Sequence, residues 1–157
     1  GAPGAGKGSL CKKLAEEYHY HHLSVGDLLR DWSNSNKLSP EATKAIESNV
    51  LVDVEDLIMI LRDEVESLER EGKKNLVIDG VPRVLEQAGP VEEAIGSPDL
   101  VLFFNCPREV AKERFRTRNI PGRVDDGETF DQRYSHYVAE NERVLGHYGR
   151  RGLLVEV

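Results

Sequence analysis

The first nine residues, GAPGAGKGS, bring together three things that handle phosphate. Glycines allow a tight loop whose backbone N–H groups turn inward around an anion. A helix that begins near Lys7 adds its positive N-terminal end, and the Lys7 ammonium can reach β- and γ-phosphates. On this reading the glycine loop and Lys7 hold the phosphates of a nucleotide. The alternative is a glycine-rich turn with an incidental lysine; the loop-then-helix context argues against it. Two features are irregular. The general pattern G-x-x-x-x-G-K-[ST] asks for a hydroxyl directly after the lysine, where Gly8 stands, with Ser9 one place later. And a loop of this kind hangs from a buried strand, whereas nothing precedes Gly1.

Other charged groups recur at the ends of elements. "LVIDG" places Asp79 at a strand end, where a carboxylate can hold water on Mg²⁺ or simply cap a turn. "GVPR" puts Arg83 at the same edge, and "VGDLLR" puts Arg30 one turn into a helix. Taken singly, such arginines are more often surface residues than phosphate ligands. Arg114, Arg116, Arg118, Arg123 and Arg133 cluster along the chain, which fits a solvated helix face. In "PGRVDDGETFDQR", however, Arg123 adjoins Asp125 and Asp126, and Arg133 follows on the next helix. Clustered guanidinium groups fork onto phosphate oxygens, and such a loop between helices can close as a lid. The competing reading is a salt-bridged turn.

The elements that must position these groups follow from periodicity. Residues 7–17 have helical spacing, with Leu10, Cys11 and Leu14 apolar. "HHLSVGDLL" reads as a short strand turning into a helix at Ser24. Ser39, Pro40 and Glu41 mark a helix start. Asp53 opens a long amphipathic helix carrying Val54, Leu57, Ile58, Leu61, Val65 and Leu68 on one face, and Gly72 ends it. Strands are expected at 76–79, 100–104 and 153–157, with helices at about 84–95, 108–118 and 129–148. Strands alternating with helices predict an α/β domain with a parallel sheet covered on both faces. Ligands of such sheets bind at the carboxyl ends of the strands.

At 157 residues the chain predicts one domain, and 39% hydrophobic with 31% charged residues is an ordinary globular composition. A net charge of −7 argues against nucleic acid as a partner. Cys11 and Cys106 lie far apart, with no metal or disulfide spacing, which fits a reducing compartment. No long apolar run predicts a membrane span. A start inside a motif reads as an excerpt of a longer protein. A missing central strand would leave backbone groups unpaired beside the loop. The 157-residue piece alone is therefore expected to be a poor enzyme.

"GAPGAGKGS", "LSVGDLLR", "VIDGVPRVLEQ" and "GRVDD" with a later Arg occur in the order and spacing of the adenylate kinases and their nucleoside-monophosphate kinase relatives. The chain resembles that family over its whole length, as a fragment without its first strand and last helix. The family writes its loop G-x-P-G-x-G-K-G-[ST], so Gly8 followed by Ser9 conforms. The resemblance implies an α/β P-loop NTPase-like three-layer sandwich with a parallel sheet. It also implies a helical NMP-binding insertion at about 25–54 and a short lid at about 118–127. The implied activity is reversible, Mg²⁺-dependent transfer of the terminal phosphoryl group of ATP to AMP, by a cytoplasmic monomer. It makes Lys7, Arg83, Arg118, Arg123 and Arg133 the catalytic residues, and it places Gly4, Ala5, Gly6, Lys7, Gly8, Ser9 and Arg118 on ATP. Arg30, Arg83, Arg123 and Arg133 belong to the monophosphate side, and so do Val25, Val50, Leu51, Val52, Gly80, Val81, Pro82 and Gln87. Asp79 corresponds to the residue that holds magnesium through water, and Asp125 and Asp126 to an acid pair orienting the lid arginines. The lid is a residue tighter than usual between Arg118 and Arg123, and one residue short after the acids. Gln87 favours adenine, because an amide offers donor and acceptor together. Val25, where adenylate kinases usually have Thr, keeps a UMP/CMP kinase open. A catalytically weak nucleotide-binding module is the third reading.

Overall fold

The computed structural model describes residues 1–118, 120 and 124–157. They fall into two compact units: the first comprises Gly1–Lys7, Arg83–Leu85 and Pro98–Val157, the second Gly8–Pro82 and Glu86–Ser97.

In the second unit, helix α1 (Lys7–Tyr18) leads into strand β1 (His21–Ser24) and helix α2 (Val25–Asn34). The break at Ser24 falls where the sequence puts it. Helix α3 (Pro40–Glu47) has Ser39 as N-cap, its side chain accepting from the Ala42 N–H at 3.1 Å. Helix α4 (Val54–Arg70) is capped by Asp53, which accepts from the Glu55 N–H at 2.9 Å. Beyond α4, Gly72 takes the left-handed φ of +81° that a helix C-terminus favours. The α4 face that is buried is Leu57, Ile60, Leu61, Val65 and Leu68. Ile60 takes the place expected of Ile58, since spacings of three and four from Leu57 and Leu61 fall on Ile60 and Val65. Leu57, Ile60, Leu61 and Val65 meet Leu23, Val25, Leu28 and Val91 in one aliphatic core. Strand β2 (Leu76–Asp79) pairs in parallel with β1, with Leu23 opposite Ile78 and Ser24 opposite Asp79. Helix α5 (Leu85–Ile95) follows.

In the first unit, strand β3 (Val101–Phe103) pairs in parallel with strand β4 (Leu154–Glu156). The ladder is lengthened by Val157 N–H donating to the Phe103 carbonyl at 2.8 Å. Helices α6 (Arg108–Thr117) and α7 (Gly127–Arg150) lie between them in sequence. The core here is Ala2, Ala5, Ala111, Phe115 and Phe130, so the glycine-rich segment is itself part of it.

Every expected strand forms and both pairings are parallel. Among the described residues the strands order as two two-stranded sheets, each hydrogen-bonded within its own unit.

Candidate active site

The glycine loop is shaped by two left-handed residues, Gly4 at φ +81° and Gly6 at φ +90°. Gly4 is required twice over, because a Cβ there would stand 2.1 Å from the Ala111 carbonyl oxygen. The Ala5 N–H closes the turn on the Ala2 carbonyl at 3.2 Å. At the start of α1 the Lys7 ammonium folds back and donates to the Gly1 and Ala2 carbonyls at 2.8 and 2.7 Å. The ammonium is thus already held by oxygen, the kind of partner a phosphate offers. Ser9 is exposed. A Cβ on Gly6 would lie 4.0 Å from an Arg114 guanidinium nitrogen, so Arg114 stands beside the loop.

Also in the first unit, Phe115 gathers two of the predicted arginines. Its ring, 0% exposed, carries the Arg118 guanidinium 4.1 Å above its centroid and that of Arg133 at 5.5 Å. Cation–π contact of this kind fixes a guanidinium plane. Phe115 meets Phe130 edge to face at 5.5 Å, which anchors the ring in turn. Asp125 accepts two hydrogen bonds from Arg118, through Nε and Nη2, completing a planar fork. Asp125 therefore orients an arginine as expected. Asp126 is the N-cap of α7, accepting from the Thr129 N–H at 2.7 Å. That backbone bond holds its carboxyl below the usual value of 3.8. A carboxylate one residue before a helix is drawn to the unpaired N–H groups there. Arg123 lies outside the described residues. Arg83 is exposed.

The second unit positions the carboxylate. Asp79 ends β2, and parallel register sets His22 opposite Val77, on the sheet face that Asp79 shares. His22 Nε2 lies 2.6 Å from Asp79 Oδ2. The same oxygen would be 3.9 Å from a Cβ on Gly8, so Asp79 faces the start of α1. A carboxylate oxygen so placed fits a hydrated Mg²⁺, which binds through one or two carboxylates and keeps its waters. Arg30 pairs with Asp27, three residues earlier on α2. Val25 is buried in the aliphatic core, Val52 is buried, Leu51 partly so, and Val50 is exposed. Gln87 is 5% exposed, an unusual depth for an amide. Gly80 has φ +96° and the Val81–Pro82 peptide is cis.

Phe115, His22 and Cys11 join these groups without being marked by any motif. Phe115 and Ala111 share one face of α6 by i,i+4 spacing, a signal of core packing only. Among the described residues no helix is long and apolar enough to cross a membrane.

Residues 1–153 match the family model described as adenylate kinase. The chain is 36% identical to adenylate kinase isoenzyme 1 of Homo sapiens, with all of this chain and 82% of that protein aligned. It is 35% identical to the Sus scrofa protein of that name, with the same coverage. With the Caenorhabditis elegans protein it shares 34%, over all of this chain and 76% of that one.

Proposed function

Because the chain belongs to the adenylate kinase family, we propose that its residues carry out that family's reaction as follows. The terminal phosphoryl group of ATP passes reversibly to AMP. Such a transfer needs little covalent chemistry from a protein; positioning and charge do most of the work. Residues Gly4 to Ser9 cradle the ATP phosphates with backbone N–H groups and the α1 N-terminus. Lys7 leaves the Gly1 and Ala2 carbonyls for phosphate oxygens and follows the charge as it moves between donor and acceptor. Arg118 and Arg133, laid on the Phe115 ring, offer preset cations to the migrating group, and Arg123 joins them from the lid. Arg30 and Arg83 hold the phosphate of AMP. The buried Gln87 amide reads the adenine edge, pairing with N6–H and N1. Val25, Val50, Leu51, Val52, Gly80, Val81 and Pro82 frame the acceptor. Magnesium entering with ATP supplies positive charge on the phosphate oxygens, and Asp79 would hold it through water.

The α/β P-loop fold of the family is read here in its three-layer form, with a helical NMP-binding insertion at about 25–54 and a short lid at about 118–127. Cys11 and Cys106, both in the thiol form, support a cytoplasmic setting. Monomeric action on small nucleotides, away from nucleic acid and membrane, completes the reading.

The observation that carries this reading is the Lys7 ammonium, bound to its own loop by oxygens that phosphate can replace. The test is a nucleotide panel with ATP and Mg²⁺. ADP formed from AMP, with little product from UMP or CMP, is the expected result. Phosphorylation of UMP or CMP alone would overturn the acceptor assignment, and ATP binding without turnover on any monophosphate would overturn the enzyme.

A further inference from the structure

We propose that Cys11, His22 and Asp79 form a binding site for a transition-metal ion of the zinc class, with one coordination position open. Their ligand atoms, a thiol sulfur, an imidazole nitrogen and a carboxylate oxygen, all lie within 4.8 Å of one another. His22 Nε2 and Asp79 Oδ2 are already 2.6 Å apart. In a tetrahedral zinc site with Zn–S of about 2.3 Å and Zn–N or Zn–O of about 2.0–2.2 Å, ligand atoms stand roughly 3.3–3.6 Å from each other. Reaching that geometry takes side-chain movements of about an ångström, with the His22–Asp79 pair opening and Cys11 drawing in.

The three ligands come from three elements, α1, β1 and β2, all within the second unit. The fold therefore assembles them. Cys11 is buried, while the His22 and Asp79 side chains keep 12% and 16% exposure, enough for an ion to enter from that side. Sulfur and imidazole donors favour zinc, cobalt or copper(I) over magnesium, which takes hard oxygen. The site thus differs in chemistry from the hydrated Mg²⁺ that Asp79 alone would serve. On binding, the Cys11 thiol proton leaves to solvent and any proton on His22 Nε2 leaves that atom. No electron is transferred. The open position takes water.

Binding rests on this geometry alone. Its effect on turnover rests on the proposed role of Asp79: an ion of the zinc class occupies that carboxylate and inhibits the transfer.

Cobalt(II), added to the nucleotide-free full chain, serves as the spectroscopic probe. A thiolate-to-cobalt charge-transfer band with tetrahedral d–d absorption, bleached by one equivalent of zinc, is expected. Cys11→Ser removes the charge-transfer band and His22→Gln keeps it; each, by removing a direct ligand, weakens zinc binding by at least the roughly 10- to 100-fold that loss of a partner outside the ligand set costs. Cys106→Ser leaves both unchanged. Absence of the band, or its survival in Cys11→Ser, overturns the site. If Cys11→Ser fails to fold by thermal melting, the His22→Gln and Cys106→Ser pair still decides. Zinc is then added to the kinase assay at saturating Mg²⁺ and ATP. Inhibition that Cys11→Ser relieves supports the coupling. Cobalt binding with unimpaired turnover supports the site and overturns the role of Asp79, so the two failures are distinguishable.

Discussion

The two compact units hold their functional charges by different means. In the first, guanidinium groups lie on an aromatic ring: Phe115 supports Arg118 and Arg133, and Asp125 squares Arg118 from the side. In the second, the buried core is aliphatic, and Asp79, the proposed magnesium-side carboxylate, is placed by strand register beside His22. A ring face fixes a plane yet lets a cation slide across it, which suits the role proposed above for these arginines, meeting a moving phosphoryl group. A strand tip fixes a point, which suits a carboxylate that must keep one position.

The most damaging way to probe this contrast is Phe115→Ala. Loss of a fully buried aromatic side chain costs about 3–5 kcal/mol, and urea unfolding should report it. Phe115→Leu, which keeps apolar bulk but not the π-face, should recover most of that stability and not the turnover. Equal recovery of both would break the comparison. Next in size, Lys7→Met should lower kcat by about 10²–10³-fold, the cost of one well-aimed donor to developing charge. Far-ultraviolet circular dichroism should stay unchanged, and undiminished kcat would refute the assignment of the loop. Arg83→Ala should raise KM for AMP by roughly 10- to 100-fold, the range for a charged hydrogen bond, with a much smaller change for ATP. Equal losses for both nucleotides would place Arg83 elsewhere.

Smaller effects test the capping chemistry. Ser39→Ala should cost about 1 kcal/mol of stability in the second unit by freeing the Ala42 N–H. In the first unit, the Asp126 carboxyl is held below its usual 3.8 by the Thr129 N–H. Such a group contributes stability above pH 3.8 and loses it as pH falls through its lower folded value. A carboxyl ¹³C titration by NMR should show a midpoint below 3.8 in the wild type. The same titration should show Thr129 amide protection falling as Asp126 protonates, whereas a midpoint at or above 3.8 would remove the cap.

How much of this was legible in the sequence depended on distance along the chain. The Ser39 and Asp53 caps, the Gly72 stop and the loop around Gly4 and Gly6 are local chemistry, and each appears where its residue types require. The choice of Ile60 over Ile58 was less legible, because both are apolar and only packing selects between them. The gathering of Cys11, His22 and Asp79 was invisible, since it depends on strand register and on how α1 is set, across a separation of 57 residues for the His22–Asp79 pair. Asp125 and Asp126 look alike as a pair, and only the start of α7 sends one to an arginine and the other to a backbone N–H. Phe115 carries no motif signal; it is core, and its second use depends on which guanidinium groups reach its face.

Gly4 carries a hydrogen where any other residue would carry a carbon, and the Ala111 carbonyl oxygen fills the difference. The loop and α6 are thus spaced by a single hydrogen atom, which turns their separation into a mechanical tolerance. Helix α6 cannot press closer, and drawing away would open a void beside Ala2 and Ala5. Substitutions along the buried face of α6, remote in sequence from any phosphate ligand, would therefore be felt by the loop as a change in its width.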